Sequence, residues 1–310
     1  MTQLIIRHAG MFTTVQDNGR YGFQRYGMPV SGVMDTYSYR CANLLVGNRL
    51  NEACLEATLS GPHFECTEAC CIALTGADMS PTVNNEPILM YTPIIMKKGD
   101  VFSSSFARNG CRMYIAVAGG IDVPVVMNSR STYVRAKLGG YEGRQLHTGD
   151  NLHVGNTTHK PLSYALPNDY IPSYEKNSEL RIIPGPEASA FTFEGIRRFL
   201  TTEYVVSDQS DRMGYRLQGA TIDHKTTADI ISSGITFGTV QVPGNGQPII
   251  LLADRQTTGG YTRIAHVISV DLPRLAQLKP GNTIRFREVS LEYAQELLKN
   301  EVSTLQKLKK

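Results

Sequence analysis

The stretch that decides the fold class is Val101-Phe102-Ser103-Ser104-Ser105-Phe106-Ala107-Arg108-Asn109-Gly110-Cys111-Arg112-Met113-Tyr114-Ile115-Ala116-Val117. Its two arms, Val101 to Ala107 and Cys111 to Val117, alternate with period two and flank Asn109-Gly110. Asn-Gly supplies the positive φ angles of a type I′ turn, so a β-hairpin is predicted here. The same pattern returns in Gly238-Thr239-Val240-Gln241-Val242, then Pro243-Gly244-Asn245-Gly246, then Pro248-Ile249-Ile250-Leu251-Leu252. Further strands are predicted over 2–7, 54–59, 71–75, 181–184, 203–207 and 264–270. The fold class is therefore mostly β.

Three segments share one local grammar: Lys98-Gly99-Asp100-Val101-Phe102, Thr148-Gly149-Asp150-Asn151-Leu152-His153-Val154 and Pro280-Gly281-Asn282-Thr283-Ile284-Arg285-Phe286. Each reads as a tight turn that launches a strand. Such recurrence suits small closed barrels, in which every edge is paired. It hints at two similar barrels in tandem. Helices are few. Asp35 can cap a short one through Tyr39, Ala42 and Leu45, ended by Gly47-Asn48. Glu187 to Leu200, after Pro184-Gly185-Pro186, reads as a second. Ser290 to Leu308 places Leu291, Ala294, Leu298, Val302 and Leu305 on one stripe. The Pro- and polar-rich stretch Thr157 to Ser178 has no period and reads as a linker. The resulting division is a first domain over 1–160, a linker over 161–178 and a second domain over 179–310.

The chain has 310 residues, 41% of them hydrophobic, enough for a sizeable core in one large domain or two ordinary ones. A formal net charge of +3, with no basic stripe interleaved with aromatics, gives no case for nucleic acid. Lys307, Lys309 and Lys310 read as a solvated helix end. Cys41, Cys54, Cys66, Cys70, Cys71 and Cys111 form no C-x-x-C pair and read as reduced, small hydrophobes. The N-terminus has no signal-peptide pattern, and no apolar run nears the ~18 residues of a membrane span. A cytoplasmic protein with no membrane partner is the expectation. P-loop, G-x-G-x-x-G and G-x-S-x-G patterns are missing. His147, His153 and His159, six apart, do not share a helix face, and no metal site is expected. Met96-Lys97-Lys98 resembles a biotin attachment site only faintly, and no biotin is expected on this chain.

The chemistry-bearing residues sit in four polar loops. The first is Thr14-Val15-Gln16-Asp17-Asn18-Gly19-Arg20-Tyr21-Gly22-Phe23-Gln24-Arg25-Tyr26-Gly27, continuing through Val30-Ser31-Gly32-Val33-Met34-Asp35. The second joins Asn128-Ser129-Arg130-Ser131-Thr132 to Leu138-Gly139-Gly140-Tyr141-Glu142-Gly143-Arg144. The third is Ser207-Asp208-Gln209-Ser210-Asp211-Arg212-Met213-Gly214-Tyr215-Arg216. The fourth pairs Gln241-Val242-Pro243 with Ala253-Asp254-Arg255-Gln256-Thr257-Thr258-Gly259-Gly260-Tyr261. Glycines permit close backbone approach, and Arg and Gln offer bidentate donors for a carboxylate, amide or phosphate. The structural alternative is ordered loops with internal ion pairs, Asp211-Arg212 and Asp254-Arg255 simply capping turns. Four such clusters in one β-rich chain point to a polar cleft lined from several loops.

In these blocks the chain resembles the family of bacterial 5-oxoprolinase C subunits, also called the KipA or biotin-dependent carboxyltransferase family and related to allophanate hydrolase subunit 2. The matching segments run in the family's order from residue 13 to 261, T-T-V-Q-D-N-G-R-Y-G, S-G-V-M-D and A-D-R-Q-T-T-G-G-Y among them. Asn18 and Tyr21 depart from the family's usual apolar residue and Pro. The resemblance implies two tandem cyclophilin-like β-barrel domains with a few short helices and a C-terminal helix. It implies two partners, an A subunit plus a KipI-like B subunit. The three together would open 5-oxo-L-proline to L-glutamate with ATP hydrolysis, ATP being used by the complex.

Opening a lactam needs activation of the amide and stabilisation of developing negative charge, work suited to Arg and backbone N–H donors. Arg255, Gln256 and Thr257 are the candidates nearest the substrate, with Arg212 and Asp211 opposite. Gln16, Arg20, Arg130, Gln241 and Tyr261 are candidates for binding it. Asp17 or Asp208 could act as a base. With no nucleophile–histidine pair, a covalent mechanism is not expected. Three rival readings stand beside the 5-oxoprolinase one. One is a biotin-dependent carboxyltransferase component acting on urea or another amide. A second is a KipA-like binding module that antagonises a KipI-like kinase inhibitor. The third is a structural subunit that only completes a cleft in the B subunit.

Overall fold

The computed structural model describes residues 2–157 and 160–308, so the readings of His159, Lys309 and Lys310 lie outside the described residues. The chain forms two compact units, one from residues up to 21 together with 31–174, the other from 22–30 with 175–308.

In the first unit two antiparallel sheets enclose one core. One sheet has seven strands, in the order Ile121–Asp122, Asn151–Val154, Gln3–His8, His63–Cys66, Val101–Ser103, Thr82–Val83, Glu86–Pro87. The other has five, in the order Phe12–Gln16, Cys54–Thr58, Asn109–Val117, Cys70–Asp78, Pro93–Met96. Alternation along each strand turns Leu4, Ile6, Val15, Leu55, Phe64 and Ile115 into the shared core. Phe64 and Phe102 stack at its centre, ring centroids 4.8 Å apart. Burying such a ring stabilises by roughly 1.5–3 kcal/mol.

The predicted hairpin over 101–117 does not form. Val101–Ser103 pairs within the seven-stranded sheet and Asn109–Val117 within the five-stranded one, between Cys54–Thr58 and Cys70–Asp78. The chain crosses from sheet to sheet through 104–108, held by Ala107 N–H to Leu59 O (2.8 Å) and Arg108 N–H to Asp78 O (2.8 Å). Gly110 does take a positive φ, 72°, but where the register slips between Asn109 and Met113. The left-handed glycine serves a bulge instead of a turn.

In the second unit seven strands close into a barrel: Asn177–Pro184, Arg263–Val267, Thr239–Gln241, Ile249–Leu251, Gly214–Gln218, Tyr204–Val206, Thr283–Glu288. Asp229–Gly234 and Thr258–Tyr261 form a separate two-stranded ribbon. The second predicted hairpin is present, Val240 opposite Ile250 and Gln241 opposite Ile249. Gly246 N–H closes its turn onto Pro243 O at 2.9 Å.

The recurring turns match atom for atom. Lys97, His147 and Lys279 each donate their N–H to the side chain three residues on, Asp100, Asp150 or Asn282, at 2.7, 2.7 and 2.9 Å. The intervening glycines, Gly99, Gly149 and Gly281, have φ of 82°, 95° and 84°. A left-handed third position is what a type II turn requires.

The helices α1 (Thr36–Leu45), α2 (Phe193–Thr201), α3 (Leu272–Ala276) and α4 (Leu291–Lys307) are short apart from the last. Asp35 caps α1, accepting from Ser38 N–H at 2.9 Å. The helix predicted from Glu187 starts instead at Phe193, where Thr192 caps it through Gly195 N–H. Glu187 is drawn away to Arg263, accepting from its Nε at 2.6 Å and from Nη2. In α4 the predicted stripe has the right period but little cover. Leu305 is buried, whereas Leu291, Leu298 and Val302 remain 52, 40 and 42% exposed. No described helix is long and apolar enough to cross a membrane.

Candidate functional site

In the first unit the polar loops are organised by Asp17. Its Oδ1 accepts from Gly19 N–H (2.8 Å), Ser129 Oγ (2.6 Å) and Ser131 Oγ (2.5 Å), and its Oδ2 from Arg130 N–H (2.6 Å). The carboxylate is 8% exposed, so burial is offset by four donors. In this arrangement Asp17 ties the 17–20 loop to the 128–132 loop. Gln16 is fully buried, its Nε2 bonded to Thr14 Oγ1 (3.0 Å) and Thr132 O (3.1 Å). Arg20 is also fully buried, and Nη2 donates to Ser131 O. Gly139 lies against that guanidinium: a Cβ there would stand 2.6 Å from Arg20 Nη2 and 2.2 Å from Ser131 O. Arg130 is half-buried, Nε donating to Val123 O at 3.0 Å and Nη2 lying 3.7 Å from Asp122. It stands beside a cavity of about 550 Å³ lined in part by Asp122, Val123, Gly139, Tyr141 and His153.

Beside that cavity Arg144 grips Asp150, Nη1 to Oδ2 at 2.8 Å and Nη2 to Oδ1 at 2.9 Å. Burial works to raise the Asp150 pKa, but the Arg144 hydrogen bonds and His147 N–H outweigh it, and the carboxyl lies below its usual range. On the α1 side of the five-stranded sheet, Glu56 accepts from Tyr114 Oη and Met34 N–H, both at 2.8 Å, with Arg112 Nε 4.0 Å away. Burial pushes the Tyr114 phenol well up, aided by Glu56 and Asp35, so it stays a donor. Sequence reading passed over this group. Glu56 and Arg112 sit at alternate positions of strands otherwise apolar, and that is the signal they carried.

In the second unit Arg212 and Asp254 form a buried bidentate pair, Nε to Oδ2 at 2.9 Å and Nη2 to Oδ1 at 3.2 Å, both residues 7% exposed. Asp211 caps its turn, accepting from Met213 N–H (2.7 Å) and Gly214 N–H (3.3 Å). Arg255 is buried next to that pair in sequence, Nη1 donating to Leu252 O (3.1 Å), its guanidinium 5.9 Å from the Phe237 ring centroid. Gln256 is exposed and Thr257 half-buried. Gln241 Nε2 donates to Tyr261 O (3.1 Å). Asp208 is exposed, and its Oδ1 accepts from Ser207 Oγ at 3.3 Å.

Tyr261 belongs to the wall of a second concavity, about 310 Å³, to which Gln209, Arg216, Gln218 and Asn245 also contribute. Arg216 and Gln209 stand inside the third polar loop, yet the sequence offered no reason to prefer them to Arg212. Pairing across 42 residues hides Arg212, whereas strand alternation turns Arg216 outward. Among the described residues no group of three or more His, Cys, Asp or Glu could hold a metal ion.

The sequence model of the family described as carboxyltransferase domain, subdomain A and B, matches residues 26–288, and the chain belongs to this family. Among curated relatives it is 41% identical to the C subunit of 5-oxoprolinase from Escherichia coli, across 94% of this chain and 93% of that protein. It is 38% identical to the C subunit of 5-oxoprolinase from Haemophilus influenzae, across 93% and 92%. Among solved structures it matches urea carboxylase of Kluyveromyces lactis with a TM-score of 0.94 and 32% identity, covering 99% of this chain but 29% of that one.

Proposed function

We propose that this chain is the C subunit of an ATP-dependent 5-oxoprolinase, which opens 5-oxo-L-proline to L-glutamate together with an A subunit plus a KipI-like B subunit. The observation that carries this is end-to-end similarity to a protein so named, 41% identity across nearly the whole of both chains. The lactam amide is resonance-stabilised. Phosphorylation of its oxygen by ATP would make the ring carbon open to water, and the tetrahedral intermediate would carry extra negative charge. Cationic and N–H donors held rigidly in place stabilise such charge most effectively. The buried Arg212–Asp254 pair makes a stiff footing for the loop that presents Gln256 and Thr257. Those two residues are the proposed contacts to substrate, with Arg255 supplying positive charge from beneath.

Gln256→Ala is expected to lower kcat/KM of the assembled complex at unchanged melting temperature. Arg255→Ala is expected to lower both activity and stability, because it removes a buried cation and its bond to Leu252 O. If both variants left the complex fully active, this assignment would be wrong.

A second reading, a carboxyltransferase that moves a carboxyl group from carboxybiotin on another chain to an amide, draws on the likeness to urea carboxylase. Measuring carboxylation of urea with free carboxybiotin separates the two. The 5-oxoprolinase reading expects none, and it expects ATP-dependent glutamate release once all three chains are present.

A further inference from the structure

We propose that Arg216 is the carboxylate anchor of a binding site for small amide-bearing acids on the second unit, a capture site distinct from the Gln256–Thr257 loop. The identity of the ligand rests on the 5-oxoprolinase reading; the site itself rests on the following geometry.

Arg216 projects outward from the barrel strand Gly214–Gln218, since its neighbours Tyr215 and Leu217 are buried. Among the described residues its guanidinium makes no ion pair and no hydrogen bond. It differs in this from Arg144, Arg181, Arg212 and Arg263, each of which is held by a carboxylate. It faces the concavity of about 310 Å³, near the lower end of the range for small-molecule sites. Four primary amides share that wall, Gln209, Gln218, Asn245 and Gln247, together with Tyr261. Asn245 spends its Oδ1 on Gln247 N–H (3.1 Å) and keeps its NH₂. Gln247 is excluded as a ligand group, because both ends of its amide are bonded to Gly219, at 2.9 and 3.1 Å.

The chemistry selects a ligand. A guanidinium fork matches a carboxylate bidentately. Primary amides can donate to a lactam carbonyl and accept from a lactam N–H. Pro243 and Ile249 supply an apolar wall for ring methylenes. A five-membered lactam carrying one carboxylate satisfies all three demands, whereas a lactam without the carboxylate leaves Arg216 unused.

The test measures binding of 5-oxo-L-proline and of 2-pyrrolidinone, the same ring without its carboxylate, by equilibrium dialysis. It uses the full chain and its complex with the A and B subunits, comparing wild type with Arg216→Ala and Arg216→Lys. Wild type is expected to prefer 5-oxo-L-proline by about ten- to hundredfold, as one charge-assisted pair provides. Arg216→Ala should lose that preference, and Arg216→Lys should recover part of it. In the complex the KM for 5-oxo-L-proline should rise by the same factor. Both substitutions fall on an exposed position, and an unchanged melting curve certifies the fold. A complex that releases glutamate with KM untouched by Arg216→Ala overturns this site and leaves the reaction standing. Binding that depends on Arg216 in a complex that releases no glutamate supports the site and sinks the reaction.

Discussion

Asp254 and Arg212 show how a residue pair that reads as chemistry also works as structure. Each is nearly inaccessible, and each neutralises the other through two hydrogen bonds. Removing one partner strands a buried charge, which typically costs ~3–5 kcal/mol. Asp254→Ala is therefore expected to lower the urea midpoint strongly, and a loss under about 1 kcal/mol would show that the pair is not the footing of its loop. Asp150 makes a prediction in pH. Its folded pKa lies below the ordinary carboxylate value of ~3.9. Its contribution is complete above that value and is lost as pH falls through the folded one. Asp150→Asn should thus be less stable than wild type at pH 7, by ~1–3 kcal/mol, with the gap closing below about pH 4. A gap that stays constant down to pH 2 would contradict the Arg144–Asp150 account. At this scale the sequence was half legible. Residue types and loops were visible, and the turn-capping alternative describes Asp211. The partner of Arg212, 42 residues away, left no local trace.

Elements were legible where their signal is local. The three turns could be read because a glycine with positive φ and a capping Asp or Asn lie within four residues. Gly281 has open space where a Cβ would go, so Gly281→Ala tests conformation alone. It is expected to cost ~1–2 kcal/mol, read as a drop in melting temperature with the barrel intact by circular dichroism. A neutral or stabilising result would deny the left-handed requirement. The 101–117 stretch misleads for the opposite reason. Asn109-Gly110 announces positive φ, but whether a turn or a bulge uses it depends on strands from 54–58 and 70–78. The start of α2 is likewise decided from afar, by Arg263 drawing off Glu187.

At the scale of the whole molecule, period-two alternation was enough to fix a mostly β protein, and the repeated turn recurs in both β units. The recurring turns pointed to closed barrels, but which strands meet to close one was not readable. Asn177–Pro184 lies parallel to Thr283–Glu288, a pairing of strands roughly a hundred residues apart. Function was legible only where several loops were taken together, as a family, and the family's chemistry is proposed for an assembly, not for this chain alone. Co-expression with the A and B subunits, followed by measurement of glutamate released from 5-oxo-L-proline, tests that claim most directly. The account predicts release that requires ATP and all three chains, and that disappears when this chain is left out. A well-folded three-chain complex that releases no glutamate, or undiminished release without this chain, would contradict it.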